Sequence, residues 1–352
     1  MQLNKKRNAV VGIDITSSAV KLVELGQNST GYILKSCTVE PIPCSEHEQQ
    51  STANRAVIAQ TIQKALKKST ITAKQAVVAV SGASVIVKSI SIPAGLNEDE
   101  ILEQIIIDAP KHMPYNIHDV CFDFEIQGTN NTNATLLDVL LVAIRKEFIE
   151  QKVEILKYAQ LKPKIIEVET FTIGNALQLL TSQLPDKFEN KTIAAIDIGA
   201  NVTTLHVIHH SRSIYTRELS FGGNQLTHQI AQTYNLTYAD AEQAKIQGTL
   251  SDAYMTDILA PFKLNIVQQI QRSIQFFSAS QINHRIDSIV LFGGCAAISD
   301  IDTLVAQALD LPTCVANPFI DMTYSENINP QQVGQYASAM LVACGLALRH
   351  FD

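Results

Sequence analysis

Two segments of the sequence place an aspartate where an apolar strand meets a tight turn. Asp14 lies in residues 10–25 (VVGIDITSSAVKLVEL), and Asp197 lies in residues 194–208 (AAIDIGANVTTLHVI). The small and polar residues of the two turns are Thr16, Ser17, Ser18, Gly199, Ala200 and Asn201. Glycine lets the main chain approach a ligand closely, and consecutive turn amides make a concave site for an anion. One such segment describes an ordinary hairpin, but the repetition predicts that both turns bind phosphate.

The paired aspartates also suggest a metal ion. Mg²⁺ keeps most of its waters and takes one or two carboxylates together with substrate phosphates. Asp14 and Asp197 are therefore predicted to hold Mg²⁺ through its waters. Lys21 follows Asp14 in the returning strand, from which its ammonium group reaches back towards the turn and offsets phosphate charge.

Two pairs of glycines precede predicted helices in the second half of the sequence. Gly293 and Gly294 follow an apolar strand (IVLFGGCAAIS) and are expected to open a helix that lines an adenosine. Gly222 and Gly223 precede a further predicted helix, and a helix N-terminus suits the approach of a phosphate. Together with the two hairpins, these glycines predict one nucleotide held between two similar halves.

Composition limits the class of protein. The 352 residues predict two or more domains, and 46% hydrophobic with 17% charged residues predict packed cores. A net charge of −7 argues against non-specific binding to nucleic acid. The six cysteines form no CxxC pair, which favours free thiols in a reducing compartment. No apolar run approaches the ~20 residues that span a bilayer, and the basic start is not followed by a signal-peptide core, so a soluble, intracellular protein is expected.

Hydrophobic periodicity predicts the order of the elements. A helix is expected over residues 46–69, and a β-α-β-β-α succession over residues 81–158 predicts a small inserted domain. A further apolar helix is expected from Thr172, with Thr170 as its N-cap. Residues 311–348 are expected to complete the sheet of the second half and to add the final helix.

The order of VVGIDITSSAVKL, AAIDIGANVTTLHV and IVLFGGCAAIS resembles the actin, Hsp70 and sugar-kinase superfamily. IYTRELSFGGNQLT, LPTCVANPF and SAMLVACGLALRHFD closely resemble the type IV pilus assembly protein PilM family, which is similar to the cell-division protein FtsA. The resemblance implies an α/β fold, the duplicated ribonuclease-H-like fold of actin and Hsp70, with an inserted FtsA-type subdomain 1C. The implied subdomains are 1A (1–80 and 159–186), 1C (81–158), 2A (187–223 and 286–352) and 2B (224–285).

The same resemblance implies that the cofactor is ATP or ADP with Mg²⁺, and it gives two further sites a role. Glu169 would position the attacking water, or it is simply a solvated carboxylate at a strand end. Glu242 and Lys245 lie on one face of a predicted helix, where they reach the ribose and adenine or form a local ion pair. Both alternatives remain open for each site.

The resemblance also implies partners. In the family, the N-terminal cytoplasmic peptide of PilN binds a groove between 1A and 1C, so the protein is expected to be cytoplasmic and attached peripherally to the inner membrane within the PilN/PilO/PilP platform. Contact with the pilus motor ATPases and assembly into a homo-oligomer are further options. The alternative functions are a slow ATPase or an FtsA-like filament former. Slow turnover is expected because Ala200, Asn201 and Val202 replace the run of glycines found in active Hsp70-like members.

Overall fold

The computed structural model describes residues 9–29, 31–43, 53–130, 132–184, 190–280 and 284–351. The strands in these ranges are β1 (Val10–Ile15), β2 (Ala19–Asn28), β3 (Gly31–Pro41), β4 (Gln75–Val80), β5 (Val85–Pro93), β6 (Val120–Thr129), β7 (Leu136–Arg145), β8 (Lys162–Val168), β9 (Thr192–Ile198), β10 (Thr203–His209), β11 (Arg212–Leu219), β12 (Ser288–Phe292), β13 (Thr313–Val315) and β14 (Thr323–Tyr324). The α-helices are α1 (Ala53–Lys68), α2 (Glu98–His112), α3 (Lys146–Tyr158), α4 (Glu169–Ala176), α5 (Gly223–Tyr234), α6 (Tyr238–Gln247), α7 (Asp252–Tyr254), α8 (Ala260–Ser280), α9 (Ile301–Leu309), α10 (Pro330–Gly334) and α11 (Leu341–Leu348).

Two mixed sheets form the two halves of the molecule. The first has the order β14-β3-β2-β1-β4-β8, and the second has the order β11-β10-β9-β12-β13. In each sheet a hairpin runs antiparallel and its first strand pairs in parallel with a later strand: β1 with β4, and β9 with β12. The duplication inferred from the two aspartate motifs is therefore present in the topology, and the predicted α/β fold is confirmed.

Helices α4 and α11 form a layer between the two sheets. All eight residues of α11 are buried, which its uniformly apolar sequence requires. One apolar cluster joins α4 and α11 to strands of both sheets, including Val10 of β1 and Ile193 of β9. A Cβ on Gly345 would lie 2.5 Å from the carbonyl oxygen of Thr172, so glycine there lets α11 approach α4.

The segment between β4 and β8, called the inserted unit below, has the predicted β-α-β-β-α order, and Ile155 and Leu156 of its last helix pack in the core of the first sheet. A three-stranded antiparallel sheet with the order β5-β7-β6 packs against α2, and this unit has its own apolar core. Asn97 caps α2 as half of a capping box with Glu100. The predicted bounds of the closing helix, residues 146–158, agree with those of α3.

Some sequence-based bounds were wrong. Helix α4 begins at Glu169 rather than near Thr172, and Thr170 is a buried residue of its first turn rather than the N-cap. Helix α1 begins at Ala53, and residues 46–52 of the predicted helix lie outside the described ranges. Of the C-terminal segment only β13 joins the second sheet, because β14 pairs with β3 and α11 packs on β1 and β2.

Candidate functional site

Asp14 and Lys21 form a buried ion pair at the first hairpin. They are cross-strand partners on β1 and β2, and Lys21 Nζ donates to Asp14 Oδ2 at 2.9 Å. Burial acts to lower the pKa of Lys21, but the negative charges of Asp14, Asp197 and Glu169 and the hydrogen bond to Asp14 together raise it. The lysine therefore remains charged at the ends of these strands.

Asp197 and Glu169 complete a cluster of three carboxylates around this lysine. Burial raises the pKa of Asp197 to about 6, with Lys21 opposing the shift and Asp14 adding to it. Burial, with repulsion from Asp14 and Asp197, raises the pKa of Glu169 to about 8. Glu169 follows β8 directly as the first residue of α4. The three carboxylates outnumber the one ammonium group that they surround, so a further cation placed there would be attracted to the cluster.

The two hairpin turns keep some of their backbone N–H groups free. The N–H groups of Thr16 and Gly199 close the turns by donating to the carbonyl oxygens of Ala19 and Val202. The hydroxyl of Thr16 accepts from the N–H groups at positions 18 and 19, so it also orders the turn. Within the described residues, the N–H groups of Ser17, Ala200 and Asn201 donate to no protein acceptor. These three amides are those that could bind an anion.

The glycine pair at the start of α5 holds that helix against the second turn. The N–H groups of Gly223 and Asn224 donate to the carbonyl oxygens of Gly199 and Ala200 at 3.0 and 2.8 Å. A Cβ on Gly222 would meet both carbonyl oxygens at 2.5–2.6 Å. The glycine motif predicts a phosphate site, but in this structure the N–H groups of Gly223 and Asn224 already donate to carbonyl oxygens of the protein.

The second glycine pair lies against Asp197. Gly293 has φ +90°, and a Cβ there would lie 2.1 Å from Asp197 Oδ1. Gly294 is exposed, and a Cβ on it would have no neighbour within 4 Å. The predicted α-helix does not begin here, because residues 294–297 form a 3₁₀ turn and α9 begins at Ile301. Gly294 therefore leaves its backbone exposed beside the carboxylate cluster. Glycine at position 293 allows the main chain to lie this close to Asp197.

Glu242 and Lys245 of α6 form a closed cluster with a threonine of α5. Lys245 Nζ lies 2.6 Å from Glu242 Oε2, and the Thr227 hydroxyl donates to the same oxygen at 2.6 Å. Lys245 Nζ also lies 2.8 Å from the Thr227 hydroxyl oxygen. The local ion pair considered for this helix is thus present. The second carboxylate oxygen of Glu242 takes no part in these contacts, so the ion pair and a contact with a ribose are compatible.

A chain of side-chain hydrogen bonds connects the two hairpins to α5 and α6. Asn201 Nδ2 donates to the Ser17 hydroxyl at 3.1 Å, Asn224 Nδ2 donates to Asn201 Oδ1 at 2.6 Å, and the Tyr238 hydroxyl donates to Asn224 Oδ1 at 2.7 Å. Sequence reasoning did not assign Asn224 or Tyr238. A polar residue directly after the glycine pair was the available signal.

Lys152 of α3 is a second cation that sequence reasoning missed. Burial lowers its pKa, while the charges of Asp14 and Glu169 act in the opposite direction. The charge of Lys152 acts to lower the pKa of Glu169, against the effect of burial. The signal in the sequence is a charged residue on the apolar stripe of a helix, four residues before the fully buried Leu156.

Two negative findings concern metals and membranes. Among the described residues, no group of three His, Cys, Asp or Glu side chains has a geometry that could hold a metal ion by itself. A cation at the carboxylate cluster would therefore need waters or a ligand as further partners. In the ranges that the structure covers, no helix combines the length and apolar character required to cross a membrane.

The paired sheets, their shared helical layer and the two facing hairpins define an actin-like protein. Its fold is shared with the ethanolamine utilization protein EutJ from Carboxydothermus hydrogenoformans, at 13% identity and a TM-score of 0.55 over 96% of this chain and 88% of that chain. A chain of a solved PilM-PilN type IV pilus biogenesis complex is 25% identical, with a TM-score of 0.78 over 98% of this chain and 99% of that chain. The model of the type IV pilus assembly protein PilM family matches residues 12–351. The chain belongs to this family.

Proposed function

We propose that this protein is an actin-like, ATP-binding scaffold of the type IV pilus assembly platform that binds the N-terminal cytoplasmic tail of PilN. The observation that supports a PilN partner most strongly is the likeness, over nearly the full length of both chains, to a chain of the PilM-PilN complex. Attachment to the inner membrane through this tail follows from the proposal. The remaining partners, PilO, PilP and the motor ATPases, would be reached through the same platform.

The carboxylate cluster and the two hairpin turns beside it, together called the cleft, have a chemistry that supports a nucleotide with Mg²⁺. The free amides of Ser17, Ala200 and Asn201 would bind phosphate oxygens, and Gly294 would face the adenosine. Asp14 and Asp197 would hold Mg²⁺ through its waters, since hard carboxylate oxygens are the ligands that this ion prefers. Bound Mg²⁺ would offset the repulsion among the carboxylates and the phosphates. A ligand that contacts both hairpins would favour closure of the two halves.

A groove between α1 and α3 is the candidate site for the PilN tail. Its cavity is about 450 Å³ and is lined by Arg55, Ala56, Ala59, Gln60, Gln63, Glu154 and Tyr158. With the subdomain bounds expected from the sequence, α1 belongs to 1A and α3 to 1C. The Arg55–Glu154 ion pair at 2.7 Å crosses this groove. The two alanines of α1 and the paired charges across the groove suit a short amphipathic peptide.

Isothermal titration with a synthetic PilN N-terminal peptide tests this function. Wild-type protein is expected to bind the peptide with micromolar or better affinity, and Mg·ATP is expected to change that affinity. The Asp197→Ala variant is expected to bind the peptide but to lose the effect of ATP, because it lacks one of the two predicted Mg²⁺ ligands. Peptide affinity that is the same in wild type with and without Mg·ATP would contradict the proposed coupling.

Two tryptophan variants of α1 test the location. Ala56→Trp places a large side chain in the groove from an exposed position and is expected to abolish peptide binding. Lys67→Trp adds the same side chain to an exposed position of the same helix outside the groove and is expected to bind like wild type. Failure of the wild type to bind the peptide would remove PilN as the partner. Normal binding by Ala56→Trp would move the site away from this groove.

Slow ATP hydrolysis is a second candidate function. A pKa of about 8 for Glu169 is near the value that suits a general base at neutral pH. Phosphate release by wild type is expected to be far slower than the ~10 s⁻¹ of a typical enzyme. Glu169→Gln is expected to lower it by about 100-fold, to background, with exposed Glu150→Gln as the matched control. Equal release by wild type and Glu169→Gln would exclude Glu169 as the base.

A further inference from the structure

Lys152 extends the buried face of α3 towards the carboxylate cluster. Leu156 and Ala159, which follow it at helical spacing, are 0% and 2% exposed on the first sheet. Helix α3 precedes β8 through a short connection, and β8 runs parallel to β4 and β1. The first turns of α3 therefore lie towards the ends of these strands where Asp14 and Glu169 are found. Helical side chains point towards the helix N-terminus, so the Lys152 ammonium group is directed to that edge.

The two lysines near the cluster differ in their partners. Lys21 Nζ is neutralised by Asp14 at 2.9 Å. Lys152 is only partly buried, and among the described residues no carboxylate lies within ion-pair distance of its ammonium group. Its charge nevertheless interacts with Asp14 and Glu169. Lys152 is thus the cation near this site that remains available to a ligand.

We propose that Lys152 binds the terminal phosphate of a bound nucleoside triphosphate and so distinguishes the triphosphate from the diphosphate. This inference rests on the proposed function, because it assigns a ligand to the same cleft. The amides of the hairpin turns would bind the phosphates nearer the nucleoside. The terminal phosphate adds the largest negative charge beside three carboxylates, and an unpaired ammonium group offsets it. Lys152 lies on α3, the helix that leads out of the inserted unit, and its charge interacts with Asp14 and Glu169 of the cluster.

Calorimetric titration of Mg·ATP and Mg·ADP into three variants tests the assignment. Lys152→Met is expected to weaken ATP binding by about tenfold or more, because a hydrogen bond to a charged group is lost, and to change ADP binding little. Lys152→Arg keeps the positive charge and is expected to recover most of the preference for ATP. Lys157→Met removes an exposed lysine from the same helix and is expected to match wild type.

The ratio of the ATP and ADP affinities distinguishes a lysine that binds the terminal phosphate from a lysine that has only a structural role. An equal loss for ATP and ADP in Lys152→Met, or no loss for either, would overturn the assignment. Absence of nucleotide binding by the wild type would overturn both this inference and the proposed nucleotide site. Binding by the wild type together with an unchanged Lys152→Met variant would overturn only the role of Lys152.

Discussion

The Gly293→Ala variant is expected to lose nucleotide binding and about 3 kcal/mol or more of stability. The new Cβ would lie 2.1 Å from Asp197 Oδ1 and 2.8 Å from the carbonyl oxygen of Ile198. The backbone at Gly293 also has φ +90°, a conformation that residues with a side chain rarely adopt. Relief of the clash would displace Asp197, the second predicted Mg²⁺ ligand. Urea denaturation measures the loss of stability, and calorimetric titration with Mg·ATP measures the loss of binding.

Two glycine variants provide matched controls for this result. Alanine substitution at Gly294 or Gly334 places the Cβ in open space. Both variants are therefore expected to have the same midpoint of urea unfolding as the wild type. Gly294→Ala also tests the open backbone beside the cluster, because its methyl group would meet a bound nucleotide. A Gly293→Ala variant with wild-type stability and ATP affinity would show that the contact between Gly293 and Asp197 has no part in the site.

The Glu169→Gln variant is expected to be more stable than wild type in alkaline solution without nucleotide. The pKa of Glu169 rises from 4.5 to about 8 on folding because of burial and two neighbouring carboxylates. The folded state therefore keeps a proton that the unfolded chain releases, so wild-type stability falls as pH rises from 4.5 to about 8. The upper limit of this loss is about 5 kcal/mol. Glutamine cannot ionise, so the variant does not lose this stability as the pH rises.

Urea denaturation at a series of pH values measures this effect as the difference between the two proteins. Asp197, whose pKa rises from 3.8 to about 6, contributes a similar fall at lower pH in both proteins and cancels in the difference. The exposed Glu150→Gln variant on α3 is expected to keep the wild-type pH dependence. A constant difference between Glu169→Gln and wild type from pH 4.5 to 8 would contradict a protonated Glu169 in the folded state.

Local patterns were sufficient to predict the hairpins and the order of the elements between β4 and β8. The aspartate-turn motifs lie on β1–β2 and β9–β10, and the bounds of α3 agree with the hydrophobic pattern. The prediction that Thr170 caps α4 was wrong. Thr170 is buried under the segment that joins β4 to β5, and this burial outweighed its local preference for an N-cap position. Gly82 lies against it: a Cβ there would be 2.9 Å from the Thr170 methyl group.

Contacts between distant segments could not be predicted in the same way. The role of the Gly222–Gly223 pair depends on the turn of β9–β10, whose carbonyl oxygens accept from the start of α5. Lys152 joins the candidate site only because α3 packs beside β8, and no local motif describes that placement. The expectations for individual binding residues therefore remain predictions, and the experiments above test them.

The first half of the molecule depends on residues from the far end of the chain. Thr323 of β14 pairs with Ile33 of β3, and α11 covers β1 so closely that a Cβ on Gly12 would lie 2.3 Å from the carbonyl oxygen of Ala343. During synthesis on the ribosome, β1 and β2 are therefore made long before α11. One apolar face of these strands stays uncovered until α11 has emerged. Contacts between such distant segments close late, and the uncovered face is prone to aggregate meanwhile. We therefore expect chaperones to increase the yield of folded protein during synthesis.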